Sequence, residues 1–385
     1  MALTTTPGEW TDEQKSLRKS LNQYFEALNA GHIEDDAAEH FNRDKWEIIR
    51  KSDVLRIPFS EEWGGLGHDG LTLVYVLENL GYGCRDAGLL FALATQIVSA
   101  ATPLHKFGSD DLKERYLRRL IDGEIISAHA ISEPSAGSDA MAMLTTATED
   151  GDSFILDGSK IFITSGPIAD VITVYAKQDT GEGAAGITAF LVETDTPGFN
   201  VGEPFPKLGL NTCPFCQLEF REVRVPKENV VGKPGAGFFI LEHVMNWEIL
   251  GIFMMMVGEM QWRMEACIDW AKKRHSFGRP IGTNQYIAGK IVDMKIGMEN
   301  SRKHLYDTAR RFSKGRSVTT EISMAKLITS EANLQSALSA VQIFGGRGYM
   351  KEYGIEKSLR DAVGAPIYSG TNETQRVRIA SMLGL

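Results

Sequence analysis

A chain of 385 residues, 43% hydrophobic and 24% charged, suits two or three packed domains and has the balance of a globular rather than a disordered protein. Its net charge of −9 gives a nucleic-acid role no electrostatic support, although local basic residues can still hold a phosphorylated ligand. The start, MALTTTPGEWTDEQ, shows no basic stretch followed by an apolar one, and no uninterrupted apolar run approaches the roughly 20 residues that span a bilayer. Four cysteines are too few for a disulfide scaffold of this size, so the expected setting is a reducing cytoplasm without a membrane partner.

From about Trp10 to Gly123 apolar residues recur every three or four positions, as in EQKSLRKSLNQYFEAL and LTLVYVLENLGYG, which predicts helices. EEWGGLGHDG breaks the pattern as a turn-rich connection, and DDLKERYLRRLIDGE reads as one more amphipathic helix. Between Ile125 and Val231 the texture changes. FILDGSKIFIT, VITVYAK, ITAFLVET and QLEFREVRV are β-rich runs separated by glycine, proline and acidic turns. From Gly235 onward three long helical patterns follow, which are best buried as a bundle. The expected class is α+β, with a helical domain over 1–124, a β domain over 125–234 and a helical bundle over 235–385.

Ser132-Glu133-Pro134-Ser135-Ala136-Gly137-Ser138-Asp139 opens the β part as a turn rich in hydroxyls and glycine, able to bring N–H and O–H groups close to a polar ligand. Alone it reads equally as a plain turn. It is followed, in order, by Gly158-Ser159-Lys160-Ile161-Phe162-Ile163-Thr164-Ser165-Gly166, by Arg274-His275-Ser276-Phe277-Gly278-Arg279-Pro280 with Gln285, and by Met324-Ala325-Lys326. Gln342, Gly345-Gly346-Arg347-Gly348-Tyr349 and Arg360-Asp361-Ala362 complete the series. This ordered set resembles the acyl-CoA dehydrogenase family from Trp46 through Arg376, with Phe162 where that family usually has Trp.

The resemblance implies FAD, a three-part fold ending in a four-helix bundle, and a homotetramer or at least a dimer. It assigns FAD contacts to Ile131, Ser132, Gly137, Ser138, Phe162 and Thr164, with His129 bordering the isoalloxazine. Arg274, Phe277 and Gln285 are implied to reach a neighbouring subunit's FAD, where a planar guanidinium suits phosphate oxygens. Gln342, Gly345, Gly346, Thr371 and Glu373 fall to the cofactor as well. In the family's chemistry a carboxylate removes a proton α to a thioester while the β-hydride passes to flavin N5.

Most of the family carries that carboxylate in a C-terminal Tyr-Glu-Gly-Thr. Here the segment reads Tyr368-Ser369-Gly370-Thr371, and Ser369 is no comparable base. A minority, including isovaleryl-CoA dehydrogenase, places the Glu early in the C-terminal domain, and Glu248, Gly258, Met260 and Gln261 reproduce that register. A helical Glu is ordinarily a solvated residue. Trp247, Ile249, Leu250, Ile252 and Phe253 leave Glu248 little polar face, which favours the base.

Ile252 and Met255 share the face of Glu248, and with Tyr368 and Ser369 they are expected to line an acyl pocket suited to about four to six carbons. Asn246 and Ser138 are expected at the pantetheine arm, which CoA and acyl carrier proteins share. A pocket closed early also admits γ,δ-desaturation of an α,β-unsaturated thioester. An electron-transfer flavoprotein is the expected acceptor; an oxidase or monooxygenase, or a flavin-binding scaffold without a base, are the alternatives on one fold. Cys213-Pro214-Phe215-Cys216 lacks a second pair for zinc, and the eight histidines show no metal spacing.

Overall fold

The computed structural model describes residues 8–178 and 183–385. The N-terminal part is helical, and its four longest helices are α1 (Asp12–Ser20), α2 (Arg43–Lys51), α3 (Gly70–Gly83) and α4 (Ala87–Thr95). Thr11 starts α1 with a capping box, and the carboxylates of Asp69 and Asp86 cap α3 and α4, so these starts follow the side-chain chemistry of the sequence. After α4 the helix widens into a π turn, Gln96–Ala101, before continuing as α5 (Thr102–Phe107). The segment read as one amphipathic helix also contains a π turn, Lys113–Leu117, between short α-helical pieces.

Eight strands follow: β1 (Ser127–Ala130), β2 (Thr146–Asp150), β3 (Ser153–Thr164), β4 (Val171–Gln178), β5 (Ile187–Glu193), β6 (Phe199–Val201), β7 (Phe215–Pro226) and β8 (Val230–Val231). They form one sheet in the order β6-β7-β3-β2-β4-β5-β8, with β1 joined to β4 in parallel. Phe154, Leu156, Phe190, Leu218 and Phe220 fill a separate core beneath it. The β3–β7 ladder slips between Lys160 and Ile163, and at that bulge Phe162 takes a φ of 59°. A bulge re-aims the side chain it carries, and Phe162 is left 62% exposed.

Three long helices then pack together: α6 (Gly237–Lys273), α7 (Gln285–Ser313) and α8 (Thr319–Phe344), with the shorter α9 (Ile355–Val363) and α10 (Asn372–Met382) on α8. Helix α6 runs 37 residues without proline and is apolar on most sides because it is the central element of the core. It lies against α3 at backbone distance. A Cβ on Gly258 would stand 2.1 Å from the Glu78 carbonyl oxygen, and one on Gly81 would stand 2.0 Å from that of Met255. The helical stretches Ala87–Phe107 and Gly237–Lys273 are long and apolar enough to cross a bilayer, but 89% and 67% of their apolar windows are buried inside the protein.

Buried polar groups tie the helical parts together. Glu78 on α3 accepts from Arg302 Nε at 2.7 Å, Tyr306 OH at 2.6 Å and Arg18 Nη1 at 3.1 Å. Arg302 is fully buried, so the pair stands only because its hydrogen bonds are met. Lys326 on α8 donates to Asn372 Oδ1 at 2.7 Å and to the Pro366 carbonyl at 3.1 Å, which fixes the loop before α10 that carries Ser369.

Candidate active site

Residues Glu248, Ile252, Met255 and Glu259 repeat at spacings of four, three and four along α6, so they share one helical face. The Glu248 side chain is 13% exposed, enough to meet a ligand and little enough to be desolvated. Ser99 Oγ donates to its Oε1 at 2.7 Å, and Ser369 Oγ donates to its Oε2 at 2.9 Å. Burial pushes the Glu248 carboxyl above the usual range, and the two hydroxyls pull it back.

His129 sits beside this carboxylate. Its Nδ1 lies 4.0 Å from Glu248 Oε1, while its Nε2 is 2.9 Å from the Tyr175 hydroxyl and the two rings meet edge to face. Parallel pairing of β1 with β4 sets His129 opposite Thr173, one pleat from Tyr175. Burial holds the imidazole neutral, its pKa lowered to about 3. His129, expected to border a flavin ring, thus also stands next to the carboxylate.

The expected substrate residues Ile252, Met255 and Tyr368 line one cavity of about 20 Å³ together with Phe91 and Glu259. The Tyr368 ring packs edge-on to Phe91 at 4.8 Å, closing one side. A space of that size holds about one water. Glu259 was not foreseen. It lines the same cavity, 3.9 Å from Arg263 Nη2, and burial raises its carboxyl to about 7 against the pull of Arg263. Asn246 is half-buried two residues before Glu248 on α6.

The hydroxyl-rich turn and the strand of Phe162 adjoin: Ile161 N–H donates to the Ser132 carbonyl at 2.8 Å. The fully buried Lys160 locks them, donating to Glu133 Oε1 at 2.7 Å and to the Ile131 carbonyl at 3.0 Å. Gly137 and Ser138 are exposed, with open space where a Cβ of Gly137 would stand; Thr164 is half-buried on the Phe162 strand. An exposed aromatic ring on a strained bulge beside free hydroxyls and N–H groups fits a planar ring with a polar tail, as FAD requires.

Arg274, Phe277, Gln285, Gln342, Gly345 and Gly346 are exposed on the helical bundle. Phe277 and Gly278 both have positive φ in the two-residue turn between His275–Ser276 and Arg279–Pro280, which thrusts the Phe277 ring fully into solvent. These residues do not join the Glu248 cluster; their exposure leaves them available to a second copy. Thr371 caps α10 through the Thr374 N–H at 3.1 Å, and Glu373 is exposed in its first turn. Cys213 and Cys216 are free buried thiols, both raised to about 11 by burial, which makes them poor nucleophiles.

Family models match the chain almost end to end: the acyl-CoA dehydrogenase N-terminal domain over residues 11–124, the middle domain over 128–223 and the C-terminal domain over 235–384. The chain is similar to the L-prolyl-[peptidyl-carrier protein] dehydrogenase of Serratia sp. (strain ATCC 39006), 40% identical over 85% of this chain and 85% of that one. The crystal structure of the prolyl acyl carrier protein oxidase AnaB is 40% identical, with a TM-score of 0.95 over 98% of this chain and 100% of that chain. The FAD complex of PigA is 35% identical, with a TM-score of 0.95 over 98% and 99% of the two chains.

Proposed function

This chain belongs to the acyl-CoA dehydrogenase family and is a FAD-dependent oxidoreductase of acyl thioesters, and on that footing we propose that Glu248 is its catalytic base and that its substrate carries a short acyl group. The observation that carries the reading is a desolvated carboxylate, held by two hydroxyls, on the same α6 face as Ile252 and Met255, which line a small cavity. Glu248 takes the proton from the carbon next to the activated carbonyl, and its raised pKa makes it a stronger base than a solvated Glu once ionised. Bound FAD supplies the hydride acceptor, N5. Ile131, Ser132, Gly137, Ser138, Phe162 and Thr164 would hold it in one subunit, and Arg274, Phe277, Gln285, Gln342, Gly345 and Gly346 would reach it from a second, with Thr371 and Glu373 nearby.

Ile252, Met255 and Tyr368 set the depth of the acyl site, while Asn246 and Ser138 serve the pantetheine arm of a CoA or carrier-protein thioester. Met255→Ala removes the plug beside Ile252. It is expected to raise kcat/KM for an octanoyl thioester about tenfold or more while a butyryl thioester changes little. A chain-length series on both proteins checks this, and an unchanged preference would move the limit away from Met255.

The small cavity lined by Ile252 and Met255 also favours a second reading, in which an unsaturated thioester cannot seat fully and Glu248 meets its γ-carbon, giving a γ,δ-alkene. We place the electrons with an electron-transfer flavoprotein; the similarity to AnaB supports an oxidase as the competing acceptor chemistry, and oxygen consumption separates them. A homotetramer accounts for the exposed Phe277, Tyr286 and Tyr349 rings, and free thiols suit a cytoplasmic setting. The domain limits we assign are 124/125 and 234/235.

A further inference from the structure

The two hydroxyls on Glu248 come from parts of the chain that both depart from regular backbone. Ser99 belongs to the π turn Gln96–Ala101, where the extra residue rotates everything after it relative to α4. Gln96 fixes that turn: its Nε2 donates to the Leu120 and Ile125 carbonyls, each at 2.9 Å, and its Oε1 accepts from the Ser127 N–H at 2.8 Å. One side chain thereby ties the turn carrying Ser99 to the strand carrying His129. Ser369 sits at a φ of 54° before Gly370 at 76°, and Gln375 Nε2 holds its carbonyl at 3.1 Å. A non-glycine residue in that region is uncommon and persists where the surroundings over-determine it.

We propose that Ser99 is a positioning residue for proton removal, forming with Ser369 a two-hydroxyl clamp that aims the Glu248 carboxylate at the substrate and turns with the proton as it arrives. The proposal rests on Glu248 being the base. Before reaction both serine protons point at the carboxylate oxygens. As a carboxylate oxygen takes the substrate proton, the C–H electron pair stays with the substrate. The serine on that oxygen then rotates its hydroxyl and accepts from the new carboxyl O–H. Neither serine gains or loses a proton, so the clamp follows the transfer without taking part in its balance.

The titratable groups facing Glu248 from the β domain are His129 and Tyr175. Burial keeps the imidazole uncharged and the Tyr175 phenol well above its ordinary value. On its own helix Asn246 and Trp247 carry no charge, while Glu259 on the same face has its carboxyl raised to about 7 by burial; beside Ser369 the Tyr368 phenol is held well above its ordinary value. The clamp therefore supplies the short hydrogen bonds that oppose the burial of the charge.

The test is the pH dependence of flavin reduction by a short acyl thioester, measured on the FAD-loaded enzyme for wild type, Ser99→Ala and Ser99→Thr. Ser99→Ala is expected to lose about tenfold in rate on the acid side, as expected for one lost hydrogen bond to a charged group, and to recover within about twofold at high pH. KM stays near wild type, and Ser99→Thr restores most of the acid limb. A Ser99→Ala enzyme with an unmoved limb overturns the proposal, whether its rate is unchanged or uniformly lower. Should Ser99→Ala fail to hold FAD, Ser369→Gly reads the same limb from the other oxygen. Glu248→Gln separates the two ideas: if it keeps full activity the base assignment fails, and if it is inactive while Ser99→Ala leaves the limb in place, the clamp alone fails.

Discussion

Glu248→Gln is expected to lower the rate of flavin reduction by about 10²–10⁴-fold, the usual worth of a general base, while FAD content and fold stay as in wild type. The amide has nearly the same shape, and its N–H and C=O groups can be answered by Ser99 and Ser369, whose hydroxyls both donate and accept. What it cannot do is accept a proton from carbon. The effect on stability has a definite sign. Burial raises the Glu248 pKa in the folded state above its unfolded value, so the folded state binds the proton more tightly and loses stability as pH rises from the unfolded value through the folded one. At neutral pH the ionised group costs the fold something, and Glu248→Gln should be at least as stable as wild type in denaturant. A near-normal rate in the variant would move the base elsewhere, with Glu259 the other carboxyl on that face.

The second large effect falls on the buried pair of the β domain. Lys160→Met leaves Glu133 buried without its cation, and breaking a pair from one side costs about 3–5 kcal/mol. Both side chains are almost fully enclosed, 0% and 3% exposed, so solvent cannot take over. The Glu133 carboxylate would keep the Thr145 and Leu144 N–H groups, which are not enough to replace the ammonium. Lys160 also holds the Ile131 carbonyl, and its loss frees the turn that begins at Ser132 from the strand of Phe162. The expected result is a lower unfolding midpoint together with FAD lost during purification. Full flavin content and an unchanged midpoint would show that Lys160 anchors neither.

The sequence carried the order of helical, β and helical parts because periodicity and turn residues are local signals. Long helices after Gly235 were legible too, although α6 is apolar on most sides. So was the pairing of an absent base at Ser369 with a candidate at Glu248, because both lie in recognisable registers. The close packing of Gly258 on Glu78 gives one physical reason for that register: nothing larger fits between α6 and α3.

Other parts of the site had no such signal. Ser99 lies 149 residues from Glu248 and is aimed by a π turn that no residue type announces. His129 is next to the flavin-type motif in sequence, yet parallel pairing of β1 with β4 turns it toward Tyr175 and Glu248. Glu259 looked like any helical glutamate until the packing of Phe91, Met255 and Tyr368 enclosed it. Ser369 read as a lost base; in the fold its hydroxyl donates to Glu248, the carboxylate we propose as the base.

The most direct test mixes the FAD-loaded protein, without oxygen, with saturated and with α,β-unsaturated short acyl thioesters and follows the flavin spectrum. Rapid bleaching by at least one short thioester is the predicted result. Bleaching by the saturated one places the new double bond α,β; bleaching by the unsaturated one alone places it γ,δ. A flavin that stays oxidised with every thioester would contradict thioester dehydrogenation by this chain.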